Sequence, residues 1–444
     1  SSDLKIYAIK LESFIARSQF QKVVELGEEI IEMLGVTLTE GEPEIEMAIE
    51  DLAHLPEMTD PYKLAAMEIL DLISTAAFGL NSDKSINVSY TKLQLSIEYG
   101  NSVFSTSAYA DNGFFLCGLI GDIEAGYKFG KLALELLDRF EVKKQKSVIL
   151  MIFNSNIRHW KEHLRKTLEP LREAFQIGLE MGELTYSGYA ILSYGTHLFF
   201  AGEYLESVER KQREYLEKLQ QLKLEYHVGY GRIGRQLSLN LLGRSEDELK
   251  LIGEAFNEEE TVPILIEKSV APSLAYFYLA KMVLCYLFKK PEEAIANARQ
   301  FQKYKQGAIA FIKSSQYNFY YSLALLAVFN KVSESQQQEY LKIVEANQQQ
   351  MKIWAENAPT NYKHKYALVE AEKARVLEEK WKASELYEAA IKGALKQKYV
   401  NEEALAKELT GEFYLSSDRE NIGRFYLIES YYGYIRWEIG RAHV

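Results

Sequence analysis

The sequence predicts an all-α protein, a right-handed solenoid of about ten helical hairpins. Two observations favour long helices. Proline is only 8 of 444 residues, so few positions force a helix to break, and the apolar residues recur with the 3.6-residue period of one helix face. The third observation is negative. We find no stretch of alternating β-branched residues and no hairpin-turn chemistry that would favour strands.

Short turn segments recur along the chain at a nearly constant spacing. Most place an anchor residue three positions before a small side chain; Ile123, Leu164 and Tyr204 follow one another at 41 and 40 residues, and Trp381 and Ile422 are again 41 apart. We expect helix ends near these five residues, with each anchor packed over its turn. A fixed period of about 40 residues with two helices per period is the signature of an α-solenoid, and we expect this one to be TPR-like.

The array is predicted to run over residues 1–437 as one continuous domain, with two irregularities. The stretch 35–63 holds three prolines and is predicted to form a loop, a short helix and another loop. A milder break is expected at 355–365, where many hydrogen-bonding side chains favour a braced joint between repeats. Residues 438–444 back-translate to a string that looks like a sequencing-library adapter, so we expect a non-native tail there.

Composition excludes several classes of protein. The formal net charge is -11, which disfavours nucleic acid as a partner. No apolar run approaches the ~20 residues that span a membrane, so no membrane partner is expected. Cys117 and Cys285 stand in apolar surroundings, which predicts buried, unbridged thiols in a reducing, cytoplasmic compartment.

Two motifs suggest chemistry, and each has a plainer interpretation. Residues 229–234 spell G-x-G-x-x-G, but no strand precedes them as a dinucleotide site requires, so we interpret the glycines as close helix packing. His159 and His163 frame H-x-x-E-H, yet the segment spans an inter-helix turn, so we expect no zinc site. We find no P-loop, kinase catalytic loop or nucleophile elbow, and we expect no catalytic residue, cofactor or metal in this chain.

Nine segments together carry a resemblance to a known family. They lie at 55–61, 96–102, 188–190, 197–202, 235–243, 253–256, 345–348, 364–366 and 402–406. Their order and spacing resemble the helical-repeat region of very large bacterial signalling proteins that are common in cyanobacteria. Those proteins carry a serine/threonine kinase-like domain and a P-loop (AAA/STAND-type) ATPase domain on the N-terminal side, and GAF or PAS domains and a sensor histidine kinase on the C-terminal side. The resemblance implies those activities, with ATP and Mg as cofactors, for a parent protein only.

The resemblance implies a non-catalytic module for protein interaction and signal coupling. Its partners would be neighbouring domains of the same polypeptide and a protein or peptide bound in the groove. Two alternatives stay open: a passive spacer without ligand, and an enzyme domain with an unrecognised site.

A candidate partner-binding groove is predicted on the inner face between residues 186 and 240. This stretch concentrates aromatic and hydrogen-bond-donating groups on neighbouring helices. The candidate residues are Tyr186, Tyr189, Tyr194, His197, Tyr226, Tyr230, Arg232 and Arg235, with Asn240 at the end of the strip. The alternative is that these side chains brace the helices internally.

Overall fold

A computed structural model describes residues 2–17, 19–80, 84–140 and 143–440. These ranges contain twenty α-helices and no β-strand, with isolated bridges only between Glu57 and Asn101 and between Ile252 and Asn257. Short loops join most successive helices, which makes them antiparallel neighbours. The prediction of an all-α fold built from helical hairpins is confirmed.

The helices are bounded as follows: α1 Ser2–Ala16, α2 Phe20–Met33, α3 Pro61–Gly79, α4 Lys84–Tyr99, α5 Ser105–Phe115, α6 Ile123–Phe140, α7 Lys143–Ile152, α8 Leu168–Met181, α9 Leu184–Phe200, α10 Leu205–Gln221, α11 Glu225–Leu241, α12 Glu258–Glu267, α13 Ala271–Leu287, α14 Pro291–Lys303, α15 Ile312–Ala327, α16 Glu334–Asn357, α17 Pro359–Val376, α18 Lys380–Gln397, α19 Val400–Ser416 and α20 Glu420–Trp437.

The predicted anchors do mark helix starts. Helix α6 begins at Ile123, a 3-10 turn that leads into α8 begins at Leu164, and α10 begins directly after Tyr204. Helices α18 and α20 begin within two residues of Trp381 and Ile422. The expectation that every anchor packs over its turn is wrong for three of the five, since Trp381, Tyr204 and Ile422 are 79%, 54% and 41% exposed. The difference is largest for Trp381. The buried face of α18 starts at Ala383, and two residues along a helix turn a side chain to the opposite side.

The chain separates into two compact units, and the continuity of the array over 1–437 stays a prediction. The first unit holds residues 1–158 and 173–187. Its apolar core joins α2, α3 and α4 through buried residues that include Val23, Ile30, Leu70 and Val88.

The irregular stretch 35–63 is as predicted. It contains extended chain, a 3-10 helix at Ile49–His54 and a second loop before α3. The side chain of Asp60 caps α3 by accepting hydrogen bonds from the backbone N–H groups of Tyr62 and Lys63. Asn101 holds the stretch in place, since its side-chain amide donates to the Leu52 carbonyl at 2.7 Å.

The second unit holds residues 159–172 and 188–444, of which 441–444 lie outside the described residues. Alternate helices α11, α13, α15, α17 and α19 each contact the next, and we call them the inner helices. They are enclosed on most sides: 14 of the 16 residues of α15 are buried. An inner helix therefore places polar side chains in the protein interior.

The last helices of the second unit contact its first elements. The guanidinium of Arg165 donates to the carbonyls of Gln397 and Lys398, at 3.0 and 2.9 Å. The indole N–H of Trp437 donates to the Glu203 carbonyl at 3.2 Å. Residues of the presumed non-native tail also take part, since the N–H of Gly440 donates to the Leu241 carbonyl at 2.7 Å. The usual solenoid pattern, in which each repeat contacts only its neighbours, does not hold here.

Candidate functional site

The predicted groove residues are distributed over α9 and α11, in different environments. Tyr186 belongs to the first unit, and the others belong to the second. Tyr194, His197, Arg235 and Asn240 are buried, Tyr189 and Tyr230 are half-buried, and only Tyr226 and Arg232 are exposed. Their role in binding a partner stays a prediction.

Tyr189, Tyr226 and His227 form one aromatic cluster between α9 and α11. The ring centroid of Tyr189 lies 4.7 Å from that of His227 and 6.3 Å from that of Tyr226. Gly188 permits this approach, because a Cβ there would collide with the His227 ring. Burial raises the pKa of Tyr189 to about 12, so its hydroxyl stays protonated at neutral pH.

Arg235 is engaged within the chain. Its Nε lies 2.9 Å from Glu209 Oε1, and its Nη2 lies 2.5 Å from Glu254 Oε1. Burial opposes the charge, but hydrogen bonds to Glu254 and Glu209 outweigh it and raise the pKa of Arg235. The amide of Asn240 donates to three carbonyls of the loop 247–250. These contacts favour the bracing alternative for Arg235 and Asn240.

Tyr230 contacts a lysine that the sequence analysis did not single out. The ammonium of Lys313, on α15, donates a hydrogen bond to Tyr230 Oη. Its Nζ lies 4.7, 5.2 and 4.6 Å from the ring centroids of Tyr230, Tyr276 and Phe311. We call these four residues the lysine cage. Burial lowers the pKa of Lys313 to about 7, so the amine changes charge near neutral pH.

His197 lies close to the lysine cage. Its Nδ1 is 2.7 Å from Thr167 Oγ1, and its ring centroid is 5.9 Å from that of His159. Burial lowers the pKa of His197 well below its usual value, and the neighbouring His159 and Lys313 lower it further. The interior here is thus built from basic groups that disfavour one another's charge.

A second buried polar group joins α17 to α19. Both carboxylate oxygens of Glu402 accept from Lys365 Nζ, and Glu402 Oε2 lies 2.5 Å from His364 Nε2. We call these three residues the Glu402 triad. Burial would raise the pKa of Glu402, but Lys365 and His364 outweigh it and lower that pKa. The sequence analysis named 364–366 and 402–406 only as resembling segments.

Other resembling segments also meet in pairs. Arg235 and Glu254 join 235–243 to 253–256, and the N–H of Met58 donates to the Asn101 carbonyl at 2.8 Å, which joins 55–61 to 96–102. Pairs of this kind show a structural role for the segments that carry the resemblance.

The predicted joint at 355–365 is a hub of hydrogen bonds around Asn361. The Asn361 amide donates to the carbonyls of His159 and Glu162, both at 2.7 Å. Its Oδ1 accepts from the N–H of Leu164 at 2.9 Å and from the hydroxyl of Tyr399 at 2.8 Å. The joint is braced, as predicted.

The glycines at 229–234 lie inside α11; their interpretation as packing residues holds for Gly231 and Gly234 and is wrong for Gly229, where a Cβ would meet no atom within 4 Å. A Cβ at Gly231 would come within 2.7 Å of Leu192 and Leu216. His159 and His163 point at separate partners: His159 bonds Tyr362 Oη and the Ala310 carbonyl, and His163 bonds the Gln397 carbonyl and the Arg165 N–H. Within the described ranges no three His, Cys, Asp or Glu side chains are grouped to hold a metal.

Cys117 and Cys285 are buried and unbridged, as predicted. Burial raises the pKa of the Cys285 thiol to about 11, which keeps it protonated and unreactive. Among the helices that the structure describes, none combines the length and the apolar character that crossing a membrane requires.

The fold defines a class, the helical-repeat proteins, and comparisons with known proteins add two similarities. No family model matches the chain. A stretch of 131 residues, 29% of this chain, is 24% identical to hybrid signal transduction histidine kinase G of Dictyostelium discoideum, and it covers 4% of that protein's length. A solved structure, that of Rap protein complexed with competence and sporulation factor, is 12% identical with a TM-score of 0.42, over 99% of each chain.

Proposed function

We propose that this chain is a non-catalytic helical-repeat module for protein interaction and signal coupling. It links an N-terminal ATPase and kinase part to a C-terminal sensor histidine kinase in a cytoplasmic multidomain protein, whose other domains use ATP and Mg. The sequence resemblance and the local similarity to a hybrid histidine kinase support this proposal. Its partners are the neighbouring domains and a protein or peptide. The exposed side chains of Tyr226 and Arg232 would contact that protein or peptide.

The observation that carries the proposal is the outer face of α20. Phe425, Ile428, Tyr432 and Ile435 are between 46% and 58% exposed. Their spacing of three and four residues places them on one stripe of the helix. We call these four residues the α20 stripe.

The opposite face of α20 is already packed. Gly433 and Trp437 are buried on it, and a Cβ at Gly433 would come within 2.9 Å of Ala404 Cβ on α19. A helix with apolar residues on both faces is typically covered on both, and contiguous exposed apolar patches mark interaction sites. In the proteins that the sequence resembles, sensor domains and a histidine kinase follow this region. We therefore assign the α20 stripe to contact with the domain that follows.

The test uses the double variant Ile428→Asp, Ile435→Asp in the full-length parent protein and in the 444-residue chain. Both side chains are exposed, so the melting temperature of the chain should stay within about 2 °C of the unchanged protein. In the parent, amide hydrogen exchange over residues 420–437 should become at least tenfold faster, and histidine autophosphorylation should no longer respond to the N-terminal part.

Lys392→Asp on α18 is the matched control, since its side chain is 77% exposed and outside the stripe. It should leave both readouts unchanged. Faster exchange with normal autophosphorylation would identify a passive spacer. Unchanged exchange in the double variant would show that the following domain does not cover α20.

A further inference from the structure

A cavity of about 380 Å³ lies in the first unit, between α6 and the 3-10 helix Ile49–His54. We call it the α6 cavity, and its lining residues are Ala53, His54, Glu135, Leu136 and Arg139. Ala53 and Leu136 are buried and form an apolar floor, while the three ionisable residues are exposed. Cavities of about 300 Å³ or more can hold a small organic molecule, so this one has room for a ligand.

Arg139 is held at the α6 cavity by the end of the 3-10 helix. Its Nη1 donates to the carbonyls of Ala53 and Leu55, both at 3.0 Å. The last carbonyls of a helix lack partners within the helix, and a basic side chain can supply one. Both hydrogens of Nη1 are then used, but Nε and Nη2 keep three N–H groups. No acceptor for these three groups is found among the described residues.

Glu135 stands one helical turn before Arg139 on α6, and the two side chains do not form an ion pair. Opposite charges four positions apart on a helix commonly pair, but here the guanidinium bonds the two carbonyls instead. Within the ranges that the structure describes, the Glu135 carboxylate and the His54 imidazole have no hydrogen-bond or ion-pair partner. Glu50, on the 3-10 helix, is already paired with Lys128 at 2.9 Å. The α6 cavity thus carries one anion and one cation that both lack a counter-ion.

We propose that the α6 cavity binds a small zwitterion of the α-amino acid class. The ligand carboxylate accepts hydrogen bonds from the remaining N–H groups of Arg139, and the ligand ammonium pairs with Glu135. An apolar side chain of the ligand lies on Ala53 and Leu136. A simple anion would leave Glu135 without a counter-ion, and a simple cation would leave Arg139 without one. The site lies within the first unit, and it is independent of whether the module couples domains.

The affinity of the α6 cavity is expected to be modest. Glu135 and Arg139 are exposed, so water screens both ion pairs and each contributes little. The guanidinium is already fixed by two hydrogen bonds, so it loses little further freedom when a carboxylate binds. We expect a dissociation constant on the order of 1 mM, which should increase with ionic strength.

The test titrates the purified 444-residue chain with L-leucine and follows binding by calorimetry. Two analogues with the same side chain separate the two charges: N-acetyl-L-leucine lacks the ammonium, and L-leucinamide lacks the carboxylate. At about pH 6.5 the amino groups of L-leucine and L-leucinamide are protonated. We expect saturable binding of L-leucine, and binding of each analogue that is weaker by about fivefold or more.

Two variants assign the charges to residues. Glu135→Gln should weaken binding of L-leucine by about fivefold and leave binding of N-acetyl-L-leucine unchanged, because that analogue has no ammonium. Arg139→Gln should weaken binding of L-leucine by a similar factor and leave binding of L-leucinamide unchanged. Asp138→Asn, at an exposed carboxylate of α6 outside the cavity lining, is the matched control and should bind L-leucine like the unchanged chain.

Three results would overturn the site: no saturable binding of L-leucine, equal binding of L-leucine and its two analogues, or the same loss in Asp138→Asn as in Glu135→Gln. The last result would show that only the general surface charge matters. Arg139 also holds the 3-10 helix, so the melting temperature of each variant is measured. If Arg139→Gln does not fold, Glu135→Gln with the three ligands decides alone.

Discussion

Lys92 in the first unit and Lys313 in the second are both buried lysines on apolar helices, and they differ in the carboxylates around them. Lys92 Nζ lies 3.1 Å from Asp71 Oδ1 and 2.9 Å from Asp111 Oδ2. Burial would lower the pKa of Lys92, but the two carboxylates outweigh it and raise that pKa. Lys313 has no such partner, and burial lowers its pKa to about 7.

Lys365 stands between these two cases. It has one carboxylate, Glu402, and burial lowers its pKa in spite of that partner. Two, one and no carboxylates thus accompany three similarly buried lysines. The comparison teaches that burial alone does not define a functional lysine; the number of compensating charges separates a structural amine from one that is free to titrate.

The largest expected effect is that of Lys92→Met. It leaves Asp71 and Asp111 facing each other without a cation, and loss of one partner of a buried ion pair costs about 3–5 kcal/mol. Lys313→Met removes an unpaired amine and replaces it with an apolar chain of similar size, so it should cost less than about 1 kcal/mol or stabilise the fold. Urea unfolding of both variants measures the difference in stability. Equal losses would show that the two carboxylates do not distinguish Lys92 from Lys313.

The second prediction removes the carboxylate partner of Lys365, so that this lysine is left without a counter-ion, as Lys313 is. Glu402→Gln removes the only carboxylate of the Glu402 triad but keeps an amide oxygen, so we expect a loss of about 2–3 kcal/mol. Adding Lys365→Met removes the unpaired ammonium as well, and the double variant should regain at least half of that loss. A double-mutant cycle from urea unfolding measures it. Strictly additive losses would show that the triad does not act through charge pairing.

The smallest effect concerns pH. The pKa of a lysine in the unfolded chain is about 10.4, above the value of about 7 in the fold. Between these values the unfolded chain binds more protons, so stability rises with pH. From pH 7 to 8.5 the unchanged chain should gain roughly 1–2 kcal/mol relative to Lys313→Met.

Lys92 supplies the opposite case. Its pKa is raised in the fold, so its contribution to the free energy of unfolding is constant below about pH 10 and is lost only above that pH. Between pH 7 and 8.5, the free energy of unfolding of Lys92→Met should therefore change with pH as that of the unchanged chain does, apart from the effect of Lys313 that both share. Urea titrations at three pH values compare both variants with the unchanged chain. If the stability difference between the unchanged chain and Lys313→Met does not change with pH, Lys313 keeps its proton throughout this range.

The sequence predicts the helix boundaries well because those depend on local turns. Ile123 and Tyr204 mark helix starts from residues only a few positions away. The contact of Arg165 with Gln397 depends on how curvature accumulates over many hairpins, and no local periodicity records it. The exposure of Trp381 was missed for a related reason, since the face that a helix buries is decided by its neighbours.

Sequence reasoning reached only one member of the lysine cage. Aromatic density singled out Tyr230, but its partner Lys313 is 83 residues further along the chain. A signal for Lys313 does exist, because it stands between Phe311 and Tyr317 in a helix with few other charges. Lys92 stands in a similar helix, however, and only the fold shows that Asp71 and Asp111 accompany one lysine and not the other.

The return of α20 to the start of the second unit has a consequence for how that unit unfolds. An open repeat array frays from its ends, and its stability is a sum of local terms. Here the Trp437 indole donates to the carbonyl of Glu203, a residue 234 positions earlier. Helix α20 is therefore bound to its sequence neighbour α19 and also to a segment far from it in the chain. Such distant contacts form only after a long loop has closed, which slows folding. They also couple the stability of α20 to that of helices distant in sequence, so the second unit should melt as one cooperative body.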